Sequence, residues 1–446
     1  MKPVVLLLVV VAGCYQPSPP SGAACANGQC PSGLRCVDGI CISGDPTDDA
    51  LILSDGCGTP ARCEGEMLVN CGENTVCTLG CSPDGEAAHC RALVPSNGIT
   101  PSMLDGATAS ITGDKLDFDT TDGRIKVANI VIREPGEGLR NGIGFFIVDG
   151  MGVFTAASMT VPTGDGWTGG GPNSWVLFSA TTITVLGDID GGGTLNEGGP
   201  GGRNGGTTGA SLACRGGAGK AYAGSFGEGG GGAGGASTGG NGGPANMGTF
   251  GIGGTACGEP NTIPLRGGNA GGAGGIDSTN GTLRGGYGGG SGGAVALVAM
   301  GAVTVDGAVG VPGAGGDGRV NGDGGGGGGG GGAILVEAPL VTINGALTAN
   351  GGGGGGPSSA DGNRGTMRTA NAAAGGLFNG KRGGSGGAGT APPGNGETYD
   401  DGLGTMRRGG GGGGSVGVIE IKAVVPFVAS GAVTSPPVKT STAVIQ

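Results

Sequence analysis

The sequence predicts an all-β chain: a parallel β-helix, or solenoid, with long glycine-rich inserts, preceded by small disulfide-rich modules. Three observations carry this. One apolar, β-branched pattern recurs along the second half of the chain. Glycine supplies 118 of 446 residues, in irregular runs such as Gly324 to Gly332, against an average near 7%. Of 13 cysteines, all but Cys214 and Cys257 lie before residue 91. A short apolar strand with one buried face cannot fold alone, so copies must stack.

The N-terminus reads "MKPVVLLLVVVAGCYQPSPPSG". Lys2 is a short positive region, and Val4 to Ala12 form an apolar core too short to span a bilayer. Val11-Ala12-Gly13-Cys14 resembles a bacterial lipobox, in which small residues admit the signal peptidase and the following cysteine is lipidated. Residues 1–13 are then a lipoprotein signal peptide and 14–24 a Pro/Ser tether, with Cys14 holding the chain to a membrane. Each buried acyl CH₂ contributes about 0.8 kcal/mol. The competing reading is an ordinary secretory signal with an incidental cysteine. Tyr15 is not the aspartate that retains bacterial lipoproteins at the inner membrane, so the resemblance implies the outer membrane or cell surface.

Two cysteine modules follow. Cys25, Cys30, Cys36 and Cys41 occupy 25–41, and a linker runs over 42–56. Cys57, Cys63, Cys71, Cys77, Cys81 and Cys90 occupy 57–91, and a second linker is expected over 92–105. Neither module has enough apolar residues for a core, so disulfides must hold them. With Cys14 lipidated, an even number of cysteines remains, as in an oxidised exported chain. Structural zinc competes with this, but only "CTLGC" has short ligand spacing and His89 is the only histidine. Cys214 and Cys257 stand alone in the glycine-rich part. Their simplest assignment is a bridge across the first insert; free thiols or pairing between molecules are the alternatives.

Residues 106–446 carry the repeat. "WVLFSATTITVLGDIDGGG" begins at Trp175, "VALVAMGAVTVDGAVGVPG" at Val295 and "AILVEAPLVTINGALTANG" at Ala333. A looser copy starts at Val416, and a remote one lies in "ASITGDKLDFDTTDGRIKVANIVIRE". Val303/Val305 and Val341/Ile343 alternate with Thr304 and Thr342, the period of a strand with one buried face. Gly307 after Asp306 and Gly345 after Asn344 are expected in positive-φ turns. In these respects the chain resembles right-handed β-helix proteins of the pectate-lyase-like superfamily. More closely it resembles uncharacterised glycine-rich lipoproteins of myxobacteria, which share a lipobox, Cys-rich knots and "GGGGGAILVEAP…VTINGALTANGGG" repeats. That resemblance implies an architecture and an address, and no activity.

The glycine runs have no collagen period. Two readings stay open. They are long mobile loops leaving the corners of the repeat. Or they are polyglycine-II segments, three residues per turn, packed side by side and hydrogen-bonded between neighbours, as in glycine-rich receptor and phage-adhesin domains that the runs resemble.

The formal net charge is −11 and no basic face is visible, which excludes nucleic acid as a partner. Matches to G-x-G-x-x-G are accidental in such a chain. A Ser-His-Asp triad would have to use His89, inside a cysteine module. Pectate-lyase-like enzymes use aspartates for calcium beside a basic residue. The candidates are Asp188, Asp190 and Asp306 with Arg266 or Arg284, although a solvated strand face and a turn explain these residues equally. "GGAGGID", ending at Asp277, is one residue off a calcium nonapeptide and occurs once. Calcium is therefore the one cofactor considered, and none is expected. Trp167, Tyr222 and Tyr287 sit among glycines, with Phe226 and Tyr399 in similar settings; they are the candidate ligand contacts, unless they plug the glycine layers. The expected function is a surface-anchored structural or adhesive cell-envelope protein without catalysis, with the membrane, glycans or another surface protein as partners. The alternative is a polysaccharide-active β-helix enzyme.

Overall fold

The computed structural model describes the backbone of two strands, Leu34–Val37 and Ile40–Ser43, and residues 61–70, 73–83, 87–164, 166–206, 214–220, 227–245, 249–276, 285–319, 324–400, 402 and 407–446. Cys14, Cys25, Cys30, Cys57, Cys71, Tyr222, Phe226, Asp277 and Arg284 lie outside the described residues. The chain divides into two units, Met1–Arg91 and Ala92–Gln446. It is nearly all-β; the described residues contain one 3₁₀ turn, Pro101–Leu104, and no α-helix.

In the first unit, Leu34–Val37 and Ile40–Ser43 pair antiparallel with Cys36 opposite Cys41. Arg62–Glu64, Met67–Asn70 and Glu73–Val76 form a meander, and Cys81–Ser82 pairs with His89–Cys90. Cys63–Cys81 and Cys77–Cys90 are disulfides. Among the described residues of this unit Val69 and Cys77 are the buried apolar side chains, and the two disulfides crosslink its strands. His89 is exposed.

The second unit is built from strand triplets that stack in parallel. Met151–Ala156, Ser174–Ser179, Ala294–Ala299, and the starts of Ala333–Ile343 and Val418–Val428 form one stack. Met159–Val161, Thr182–Val185, Ala302–Val305 and the second halves of the two long strands form another. Trp167–Gly170, Asp188–Asp190, Ala308–Gly310, Ala346–Thr348 and Val433–Ser435 form a third. The repeats stack like on like: Trp175, Val295, Ile334 and Ile419 align, as do Val185, Val305 and Ile343. The remote copy adds Ile111–Thr112 and Leu116–Asp119 in the same register. One copy, residues 151–170, escapes the sequence pattern. Antiparallel Gly138–Arg140 and Ile143–Val148 lie beside it.

The core between the stacks is aliphatic, with Phe118, Phe154, Trp167 and Trp175 clustered where the first triplets lie. Met159–Val161, Thr182–Val185 and Ala302–Val305 of the second stack alternate buried and more exposed residues, whereas Ala308–Gly310 and Ala346–Thr348 of the third are buried throughout. The first-stack strands Ser174–Ser179 and Ala294–Ala299 are buried on both faces. Their outer face is covered by 92–105, by the Asn261–Thr262/Leu265–Arg266 hairpin and by the C-terminus. The expected 92–105 linker is therefore a docked segment. Leu93 and Ile99 are buried against Phe178, Val298 and Leu335, and Ala92 and Val94 bond to Gln446 and Val444. Burial of these two side chains, about 2 kcal/mol each, acts together with the backbone bonds to the C-terminal residues to hold the segment.

The turn glycines also differ from expectation. Gly307 and Gly345 do not adopt positive φ. They are required by approach: a Cβ on Gly307 would fall inside 3.0 Å of the Gly187 carbonyl, and one on Gly345 inside 3.0 Å of the Gly307 carbonyl.

The inserts leave after a third-stack strand and return to a first-stack strand. Their described runs are packed and buried. Around 324–332 the bonding has a period of three. Gly324, Gly327 and Gly330 donate to Gly275, Gly272 and Asn269; Gly325, Gly328 and Gly331 to Gly409, Gly412 and Ser415; Gly326, Gly329 and Gly332 to Asp317, Ala314 and Val311. The carbonyls of this run accept from Gly286, Gly289 and Gly292, from Gly230 and Ala233, and from Gly352 and Gly355. Each residue thus turns to a different neighbour. Three neighbouring segments receive the donors and three others supply the acceptors' partners, so no buried backbone group on the run's inner length is left open. A Cβ on Gly326, Gly327, Gly328 or Gly329 would meet neighbouring backbone inside 3.0 Å. Cys214 and Cys257 pin the first insert, with Cα atoms 5.7 Å apart.

Candidate functional site

The lattice decides where side chains can stand. Tyr287 interrupts the run 285–293, and Asp317 closes the run 313–317. The two segments are neighbours, since Asp317 N–H donates to the Tyr287 carbonyl at 2.9 Å. Gly286 and Gly288 beside the tyrosine admit no Cβ, because neighbouring carbonyls lie inside 3.0 Å. Tyr287 is the one large side chain of its run. It borders a cavity of about 270 Å³, lined by Leu195, Asn196, Tyr287, Asp317, Asp361 and the glycines Gly288, Gly315 and Gly316.

Arg319 stands outside this lining, beside Asp317 and Tyr287. Its Nε donates to Asp317 Oδ2 at 2.8 Å, and its guanidinium carbon lies 5.0 Å from the Tyr287 ring centroid. Asp361 Oδ1 accepts from Gly318 N–H at 2.8 Å. Burial, and then a hydrogen bond with Asp361, push the Asp317 carboxyl above its ordinary range, while Arg319 opposes the shift. Leu195 is the apolar wall. It is 78% exposed and sits at φ 47°, a region unusual for a branched side chain. Gly290 N–H holds its carbonyl at 2.9 Å. The cavity offers two carboxyls, an amide and two apolar surfaces, and one guanidinium bonds to Asp317 from outside the lining. It is rich in acceptors and suits a ligand that donates.

No protein-family model, curated protein or solved structure matches the chain.

The aromatic candidates separate. Tyr287 lines the cavity. Trp167, expected on a glycine loop, is fully buried, donates Nε1–H to the Gly113 carbonyl at 2.7 Å and packs 5.2 Å from Phe118. It presents no surface to a ligand. Tyr399 packs on Phe378 at 5.2 Å. The proposed calcium pair is engaged by arginines instead. Asp190 holds Arg364 bidentately at 2.8 and 2.5 Å, Asp188 holds Arg368 at 2.5 Å, and Arg364 also donates to the Gly193 carbonyl. Asp306 accepts from Asn344 at 2.7 Å, and Arg266 pairs with Glu259 at 3.1 Å. No group of three or more His, Cys, Asp or Glu side chains placed to hold a metal occurs among the described residues.

The sequence reading missed Leu195, Asn196, Asp317, Arg319 and Asp361. A signal was present: Asp-Gly followed closely by Arg occurs at 317–319 and again at 361–364. Asp317 accepts from Arg319 of its own segment, Asp361 accepts from Gly318 of that same segment, and Arg319 covers Tyr287.

Proposed function

We propose that the chain is a structural or adhesive protein of the cell surface, anchored through lipid on Cys14 and acting without catalysis. In this reading residues 106–446 form a parallel β-helix, and its inserts pack beside it as polyglycine-II helices. The observation that carries the reading is the three-residue bonding period around 324–332, with segments from every insert converging on one run. Such a body is stiff. Its glycines are conformationally costly to order, and that expense is spent on lateral packing rather than on a mobile loop. Stiffness suits a spacer or presenting platform outside the cell, and the lipobox supplies the anchor.

The test is cellular. Cells bearing the native chain should hold it in the membrane fraction, take up labelled fatty acid on it and adhere to a glycan-coated surface. Cells bearing Cys14→Ser should release the chain and lose that adhesion. Retention of the variant chain in the membrane, together with no fatty-acid uptake by the native one, would sink the anchor. A polysaccharide-active enzyme is the second reading, and the Asp317–Asp361 pair is what favours it. Oligosaccharide release that disappears in Asp317→Asn would put that reading in place of the first.

A further inference from the structure

We propose that the Tyr287 cavity binds an amino sugar, a pyranose ring carrying a free ammonium group; this rests on the surface-adhesive reading and names its ligand class. The argument begins with charge. Asp317 and Asp361 bring two carboxyls to one cavity whose lining holds no cationic side chain among the described residues, and Arg319 bonds to Asp317 from outside it. Asp361 has the Gly318 N–H and the Asp317 carboxyl as partners. Two neighbouring carboxyls either share a proton or take up a cation, and a ligand with one positive charge takes the place of that proton. Ammonium donors to carboxylate are also stronger than hydroxyl donors.

Shape gives the rest of the ligand. A cavity of about 270 Å³ lies at the small end for ligand pockets and suits one ring rather than an extended chain. Leu195 and the Tyr287 ring supply apolar walls for the C–H faces of a sugar. Asn196 offers both a donor and an acceptor to ring hydroxyls. Arg319 already lies against the tyrosine, so the ring is held in place before any ligand arrives. The exposed Leu195 at φ 47° holds an unfavourable backbone conformation beside the same opening. A divalent metal fits less well, because calcium takes six to eight oxygens and the cavity presents two carboxyls and one amide.

The experiment is calorimetric titration of the detergent-solubilised full chain at neutral pH. The probes are D-glucosamine, N-acetyl-D-glucosamine, D-glucose and calcium chloride. The expected result is one-to-one binding of glucosamine, at least ten-fold tighter than either neutral sugar. Asp361→Asn should lose that preference at an unchanged melting temperature, since the amide oxygen can still accept from Gly318. Tyr287→Ala should weaken all three sugars together. Equal binding of glucosamine and its N-acetyl form overturns the inference, as does calcium binding that displaces glucosamine. No binding of glucosamine overturns it as well. If cells still adhere to a glycan surface in that case, the surface reading survives; if adhesion is also absent, both fall.

Discussion

Replacing Gly327 with alanine tests the glycine lattice at its centre. An ideal Cβ there falls inside 3.0 Å of Gly231 O, Gly231 C and Gly232 N. All three are backbone, so no side chain can rotate out of the way. The segment around 230–233 has to retreat. It is tied to the 324–332 run by Gly230 N–H to Gly325 O at 2.9 Å and Ala233 N–H to Gly328 O at 3.0 Å. Each buried bond left unmade costs about 1–3 kcal/mol. Losing both therefore removes about 2–6 kcal/mol. Alanine restricts the unfolded chain and returns about 0.4–1 kcal/mol. The net loss is about 1–6 kcal/mol, against the 5–15 kcal/mol that typically holds a domain. Urea unfolding with hydrogen exchange across 324–332 reads it directly, and protection of those amides should fall with the midpoint. Gly431→Ala is the control. A Cβ there meets nothing within 4 Å, and its φ is not left-handed, so the change should stay within about 0.5 kcal/mol. If Gly327→Ala matches that control, the lattice does not hold as described.

Three further outcomes are expected. Cys257→Ser opens a bridge of sequence separation 43 and should lower stability by about 4 kcal/mol; a urea midpoint equal to that of the native chain would show that the lattice alone pins the insert. Arg133 is buried and donates to the carbonyls of Gly123, Glu134, Gly136, Gly138 and Ile143, and burial lowers its pKa to about 10. Lysine cannot reproduce that fork, so Arg133→Lys should destabilise by about 2–4 kcal/mol, seen as a drop in melting temperature. Asp317 binds its proton more tightly folded than unfolded, because burial raises its pKa above 3.8. Its contribution is full below that value and is lost as pH climbs through the raised one. The native chain should therefore lose stability relative to Asp317→Asn over that interval; a constant difference between the two across pH contradicts the assignment.

The strand triplets were legible because their pattern is carried by side chains. Val303/Val305 and Val341/Ile343 show the period, and they stack on each other in register. The 151–170 copy was missed because Trp167 sits in "TGDGWTGGG", which reads as a loop. The glycines there are close-approach positions: a Cβ on Gly166 meets the Asp188 backbone, and one on Gly169 meets the Trp175 ring. Nothing local distinguishes such a glycine from a flexible one. The same limit hid the order of the glycine runs, whose composition is that of a mobile linker and whose structure depends on segments far along the chain. The cavity was half legible. Tyr287 stood out by type, whereas Asp317 and Asp361 meet only because distant inserts pack together. Leu93 and Ile99 were too few to mark 92–105 as part of the core.

The run 324–332 also imposes an order of assembly. As the chain is made from its N-terminus, segments 227–233, 269–275, 286–292 and 311–317 precede the run, and its bonds to them can form as it appears. The N–H groups of Gly325, Gly328 and Gly331 must wait for Gly409, Gly412 and Ser415, 84 residues later in each case. The stacked strands can grow one triplet at a time, each needing only its predecessor. The glycine lattice cannot. A chain cut before residue 409 would carry a completed middle triplet beside an open row of donors, so the last insert decides when the earlier ones become stable.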